Sequence, residues 1–509
     1  MKHRLLAGLL AGVFLASLSI AAARVAPAQS NNDVLTISQG ADTDTMSPIT
    51  TAVTPSSNVF NQIFDALLHH TPDGKLVPEL ATSWKQTAPD RWEFKLRHGV
   101  VFSNGDPFTS ADVKFTVEKV QDPAFKSQKL DRVKMIKEVL TPDPYTVIYV
   151  TKSPSAIMPG RPFDLRIVDA KYWKEHGDAY MVDHPIGTGP YMLKEWRKDD
   201  HVTLVANPKY WGKPPEIKTV IFKPIPEAAS RVAALQTGET DIITNVPPQN
   251  ADQIATGKLT KLGTVRSDRV LFIAFNTQKP GPQDNVYFRQ ALNYAVDVDG
   301  IVKTVLHGHA YPLRNGPLPP GFVGYDAKAP SYTYDPAKAK ELLKKSGVKL
   351  PLNITLWTPS GRYNADKQIA EAIAGQLQAV GINANVQTQE WTNYVGAITH
   401  KDLQPLYELG WGNDTFDADG TFLPLFTTNY PISTWGTPES DKLISEAEFQ
   451  TNPQQRNATY AKVLQIVHEQ APWIFLFEYQ DLYGINKRVN WQPRTDELIF
   501  CKDITWAKT

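Results

Sequence analysis

The residues able to do chemistry in this chain are few and scattered. Gly187-Thr188-Gly189 begins like a dinucleotide-binding loop, but Met192 stands where a third glycine must let the backbone approach a pyrophosphate. Asp414, Asp417 and Asp419 suggest a calcium loop. The glycine of such a loop comes one residue late, as Gly420, and Leu425 holds the place of its terminal glutamate. His69-His70 and the pair His307 and His309 are the other metal-ligand candidates. Adjacent histidines rarely converge on one ion, and neither pair has a clear acidic companion. The chain has no GxxxxGK[ST] loop, no HExxH and no GxSxG elbow. A glycosidase needs two facing carboxylates, which sequence separation does not reveal. Nothing in these residues makes a strong enzyme case, and no catalytic residue, cofactor or metal site is expected.

The elements that must position a binding site follow from length and pattern. The chain has 509 residues, too many for one compact core, and two to four domains are expected. Lys+Arg and Asp+Glu are both 53, so bulk positive charge is not available to hold a nucleic acid. The single cysteine, Cys501, excludes a disulfide scaffold and a CxxC redox pair and reads as a small buried hydrophobe. Lys2, His3 and Arg4 precede an apolar run from Leu5 to Ile20, and Ala26-Pro27-Ala28 offers a cleavage site. Residues 1–28 are thus expected to be a secretory signal peptide rather than a membrane anchor, since the run is shorter than a bilayer span. With no cysteine near the cleavage point, no lipid anchor is expected, and a periplasm is the expected home.

The remainder alternates strands with helices, an α/β pattern. Val34-Leu35-Thr36-Ile37 reads as an opening strand, and Trp92, Phe94 and Leu96 alternate with charged residues as in a half-buried strand. Thr109 and Asp112 have capping-box spacing ahead of Val113, Val117 and Val120. Asp335-Pro336 starts a helix that Gly347 ends. Ile369, Ile373, Leu377 and Val380 share one face of another helix, stopped by Gly381. Ile382, Ala384 and Val386 then alternate, so residues 353–389 read as a βαβ unit.

A series of longer motifs carries a resemblance. In order they are Ile63-Phe64-Asp65-Ala66-Leu67, Leu80-Ala81-Thr82-Ser83-Trp84, Phe94-Lys95-Leu96-Arg97, Val101-Phe102-Ser103-Asn104-Gly105 and Ala111-Asp112-Val113. Gly187-Thr188-Gly189-Pro190-Tyr191, Asn207-Pro208-Lys209-Tyr210-Trp211 and Arg289-Gln290-Ala291-Leu292-Asn293-Tyr294-Ala295 complete the series. Each is weak alone, but their order and spacing are specific. Over nearly the whole mature chain the sequence resembles the periplasmic solute-binding proteins of ABC importers, in the peptide, nickel and oligosaccharide branch. It is most similar to the dipeptide- and oligopeptide-binding members.

The resemblance implies a two-lobed hinged fold with an extra domain inserted in the first lobe. Lobe I would comprise residues 29–60, 188–277 and 478–509, the insertion 61–187, and lobe II 278–477. The implied function is an extracytoplasmic receptor that closes on a short peptide and delivers it to an inner-membrane ABC permease, as a monomer. In the segment Gly410-Trp411-Gly412-Asn413-Asp414, read as a glycine-rich bend after a strand ending at Leu409, Asp414 matches the family's amine-binding Asp. Arg362 matches the dipeptide binders' carboxylate-binding Arg, and Trp391 and Tyr394 match a family Glu-Trp-x-x-Tyr segment. Trp411, Gly412, Asn413, Tyr363 and Trp391 are further ligand-binding candidates, and Gly40 could offer a backbone amide after the first strand. Gly187 and Gly189 read as backbone requirements, not ligand contacts. An oligosaccharide, an opine-like compound, glutathione or a chelated metal remains an alternative ligand, and an exported carboxylate-dependent hydrolase a remote alternative.

Overall fold

The computed structural model describes residues 33–508, except 73, 156, 159 and 361. The expected signal peptide lies outside the described residues.

Two long strands organise the molecule. Thr260–Phe275 and Trp473–Asn486 pair antiparallel from Thr260↔Asn486 to Ala274↔Trp473, with a register shift between Arg266 and Val270. They form the spine of one eleven-stranded sheet. On one side, Trp473–Asn486 pairs with Ile242–Ile243, followed by Val34–Gln39, Thr219–Pro224, His201–Ala206 and Tyr191–Arg197. On the other, Thr260–Phe275 pairs with Leu406–Gly412, followed by Leu352–Pro359 and Ile382–Gln389. The chain therefore passes between two wings of one sheet along two adjacent strands. A separate four-stranded antiparallel sheet is made by Ala81–Ala88, Arg91–Leu96, Thr146–Thr151 and Ile136–Asp143.

Burial explains why the crossing strand has no alternating pattern. Leu271, Ile273 and Phe275 enter one hydrophobic cluster, while Val270, Phe272 and Ala274 enter another on the opposite face. A strand covered on both faces is apolar throughout, so the period-2 signal vanishes. Phe272 stacks on Trp473 with ring centroids 3.5 Å apart, joining the two crossing strands at their far end. A third large cluster unites the first wing with the four-stranded sheet.

The local readings hold where they rest on caps and periodicity. Ser110–Gln121 is capped by Thr109 with Asp112 completing the box, and Val113, Val117 and Val120 are buried. Pro336–Ser346 starts behind Asp335 and ends at Gly347, whose φ is +74°. Leu352–Pro359 and Ile382–Gln389 are parallel, with the helix Asp366–Gln378 between them, so the βαβ unit is present. The strand expected to end at Leu409 instead runs through Gly412, because Gly410, Trp411 and Gly412 pair with Leu271, Val270 and Arg269.

Gly187 and Gly189 have the backbone role expected of them. A Cβ on Gly187 would lie 2.1 Å from the Ile63 carbonyl oxygen, and one on Gly189 2.6 Å from the Ile63 carbonyl carbon. The Gly189 N–H donates to that same carbonyl oxygen at 2.8 Å. Gly187→Ala should therefore cost about 1–3 kcal/mol or more, since the obstacle is backbone that cannot rotate away. A urea midpoint unchanged from the parent would contradict this packing.

Candidate functional site

Arg362 lies in the turn between Leu352–Pro359 and Asp366–Gln378. The turn is fixed by Asp366, whose carboxylate accepts from the Arg362 N–H at 2.9 Å and the Tyr363 N–H at 3.3 Å. The Arg362 guanidinium carbon sits 5.0 Å from the Tyr363 ring centroid and 5.2 Å from that of Trp391, the first residue of the helix Trp391–Thr399. Tyr363 and Trp391 meet edge to face at 6.0 Å. Among the described residues the guanidinium has no hydrogen bond and no ion pair. Burial lowers its pKa, and the neighbouring Arg269 lowers it further. Glu497 attracts the charge without bonding to it, so an aromatic frame holds a cation that no carboxylate among the described residues pairs directly.

Tyr363 itself is buried, and its hydroxyl donates to the Gly410 carbonyl at 3.1 Å. Gly410 permits this approach, since a Cβ there would fall 2.6 Å from the Tyr363 ring. Gly412 similarly makes room for Arg269, whose guanidinium lies 3.0 Å from where its Cβ would be. Arg269 is gripped by Glu497 through two bonds of 2.9 and 3.0 Å. Burial works against the Arg269 charge, but the Glu497 carboxylate prevails and raises its pKa.

Asp414 follows the strand that carries Gly410 and Gly412. Its Oδ2 accepts from Arg132 at 2.5 Å, across 282 positions of sequence. Arg132 also pairs through Nε with Asp164 at 3.1 Å, and Asp164 pairs with Lys129 at 2.6 Å. Burial opposes the Arg132 charge, but Asp164 and Asp414 together raise its pKa. The segment that follows is tied to residues 61–187 twice more, by Arg161 with Asp419 at the start of the helix Asp419–Leu425 and by the Tyr430 hydroxyl beyond that helix donating to Asp131. Beside these ties lies a cavity of about 220 Å³, lined by His70, Ile157, Met158, Arg161, Thr415 and Asp419, among others.

The other candidates divide. Trp391 frames Arg362. Trp411 is half-buried, packs on the cluster that contains Phe272, and donates through Nε1 to the Gly420 carbonyl at 2.8 Å. Asn413 is spent internally: its amide donates to the Asp417 carbonyl at 2.7 Å and to Thr421 at 2.9 Å, and its oxygen accepts from Thr415 at 2.7 Å. Its side chain shapes the loop, and both donors of its amide are used there. Gly40 stands against the Arg231 guanidinium, 3.4 Å from where its Cβ would be, and no contact among the described residues joins it to Asp414 or Arg362. The Thr43 and Asp44 amides beyond it already donate to Asp42 and Ser56. Tyr394 anchors its helix by donating to the Glu408 carbonyl at 2.8 Å. Asp417 is held by two bonds from Arg456, at 2.6 and 2.7 Å.

The residues that sequence reasoning missed are Arg132, Arg269 and Glu497. Their partners lie hundreds of positions away, and no local pattern marks such pairs. Among the described residues no group of three or more metal-ligating side chains is present. His69 packs edge to face on Phe500 at 5.5 Å, and burial lowers its pKa to about 4. The unfolded chain therefore takes up this proton near pH 6.5 and the folded one only near pH 4. Stability should fall as pH drops through that window, by at most about 1.4 kcal/mol per pH unit from this group. His69→Phe should flatten that slope in urea titrations at pH 7 and pH 5, and an unchanged slope would contradict the reading.

Residues 75–431 match the family described as bacterial extracellular solute-binding proteins, family 5. The chain belongs to that family. It is 31% identical over 454 residues to the dipeptide-binding protein of Escherichia coli (strain K12), covering 82% of this chain and 83% of that one. It is 30% identical over 442 residues to the glutathione-binding protein GsiB of Pectobacterium atrosepticum, covering 83% and 84%. Among solved structures, the periplasmic binding protein DppA of Helicobacter pylori in complex with the peptide STSA superposes with a TM-score of 0.82 at 25% identity, over 93% of this chain and 98% of that one. The dipeptide-binding protein of Pseudoalteromonas sp. SM9913 in complex with Met-Leu gives a TM-score of 0.84 at 23% identity, over 93% and 100%, a likeness of fold. The architecture is thus the two-lobed solute-binding fold, and the role is that of a solute receptor. These relatives are binding proteins, and the family is extracellular by its own description. Among the described residues no helix is long and apolar enough to cross a membrane.

Proposed function

We propose that the protein is the periplasmic receptor of an ABC importer, that it binds short peptides between its lobes, and that it performs no reaction on them. Asp414 takes the ligand amine and Arg362 the ligand carboxylate. The observation that carries this reading is Arg362, a partly buried cation in an aromatic frame with no carboxylate partner among the described residues. A charge held that way costs free energy until an anion arrives, so its presence favours a ligand that brings one.

The spacing supports a short ligand. Tyr363 touches Gly410, and Asp414 is four positions further along; at about 3.3 Å per residue this is at most roughly 13 Å. That length accommodates roughly two to four extended residues. The lobes divide, in this reading, into residues 29–60, 188–277 and 478–509 with the insertion 61–187, against 278–477. The crossing strands are the hinge, and the ties Arg132–Asp414 and Arg161–Asp419 belong to the closed state. A ligand touching both lobes shifts the population toward closure by its differential contacts. The permease would recognise that closed form, and the receptor would work as a monomer without a cofactor.

Native mass spectrometry of protein purified without refolding tests the reading, with any carried ligand identified after denaturation. Short peptides with free termini are expected. A sugar, a metal chelate or a single modified amino acid would overturn the peptide assignment and the roles given to Asp414 and Arg362.

A further inference from the structure

Near Asp414, the proposed amine anchor, lies a second carboxyl that the reading above leaves unused. Asp268 lies in the first crossing strand, within the register shift between Arg266 and Val270. Arg269 pairs with Gly412, and the Asn413 N–H donates to the Asp268 carbonyl at 3.4 Å, which sets Asp268 beside the residue preceding Asp414. Asp268 is only 4% exposed. Among the described residues its carboxyl has neither a hydrogen bond nor an ion pair, because adjacent Arg269 is spent on Glu497. Burial raises its pKa well above the usual carboxylate range, and the negative charges of Glu497 and Asp414 add to the rise. Buried polar groups without partners are rare and ask for a partner that the free chain lacks.

A second orphan stands nearby. His70 is 5% exposed, and its Nδ1 has no partner. It lines the 220 Å³ cavity together with Thr415, the residue after Asp414. The acceptor count points the same way. An ammonium carries three N–H donors. Asp414 already gives Oδ2 to Arg132, so Oδ1 alone cannot satisfy an incoming amine.

We propose that Asp268 is a second anchor for the cationic end of the ligand, so that an ammonium group is held between the Asp268 and Asp414 carboxylates. The inference rests on the peptide reading and sharpens it: the receptor selects ligands with a free, strongly donating cation at one end and discriminates against blocked ones.

Isothermal titration of the full chain with trialanine and with N-acetyl-trialanine tests it, comparing wild type, Asp268→Asn and Asp414→Asn. Asp268→Asn should weaken trialanine binding at least tenfold and change the affinity for the acetylated peptide less than twofold. A purely structural role would move both peptides alike. Asp268→Leu carries the same comparison if circular dichroism shows the Asn variant unfolded. Trialanine affinity within twofold of wild type in the Asp268 variant, with Asp414→Asn weakened, would overturn this inference and leave the peptide reading standing. A wild-type protein that binds neither peptide would overturn the peptide reading, and this inference with it.

Discussion

Arg362→Ala is expected to weaken binding of a peptide with a free carboxylate by about 2–5 kcal/mol, the range for one partner of a buried, hydrogen-bonded charge pair. The unliganded protein should be no less stable. Arg362 forms no ion pair among the described residues, its burial disfavours the charge, and Arg269 repels it. Removing it relieves those costs in the free state, against the loss of its contacts with Tyr363 and Trp391 and of the attraction of Glu497, which Arg269 still holds through two hydrogen bonds. The peptide amide, lacking the carboxylate, should bind wild type and variant almost equally. A thermal midpoint that falls by several degrees with no change in peptide affinity would show that Arg362 is structural.

Asp414→Ala should cost a similar amount in binding, about 2–5 kcal/mol, for two reasons that act together. It removes the proposed acceptor of the ligand amine, and it removes a tie between the loop after Leu406–Gly412 and Arg132. Global stability should change little, because Arg132 retains Asp164 at 3.1 Å and is not left uncompensated. Calorimetric titration against a free-amine peptide, beside a urea melt of the same variant, separates the two effects. Wild-type affinity in this variant would remove Asp414 from the site.

What was legible in the sequence was local. The cap residues Thr109, Asp112 and Asp335 and the stop at Gly347 mark their helices because the side chains that satisfy a helix end lie within a few positions of it. The crossing strands were not legible. The run Val270–Phe275 is buried on both faces and has no alternation, and its partner lies some two hundred residues away. The strand leading to Asp414 was cut short at Leu409 for a related reason. Gly410 and Gly412 look like a bend in isolation, yet they are glycines so that Tyr363 and Arg269 can lie against the strand.

The site was legible only through its motifs. Arg362, Trp391 and Asp414 were found by resemblance, and the contacts that give them meaning are long-range. Nothing near Arg132 announces that it meets Asp414 across 282 positions, and nothing near Arg269 announces Glu497 across 228. Asn413 looks available in the sequence as a polar residue beside Asp414. The loop uses both donors of its side-chain amide. The turn after the first strand looks open in the sequence, yet the amides of Thr43 and Asp44 in it are already bonded.

The central claim is that Arg362 and Asp414 hold opposite ends of one ligand. A crystal structure of the protein grown with trialanine measures this directly. The account predicts the peptide carboxylate within hydrogen-bond distance of the Arg362 guanidinium and the amine within the same distance of the Asp414 carboxylate, with the lobes closed. A peptide bound in the reverse direction, or one that leaves Arg362 without an anionic partner, would contradict it.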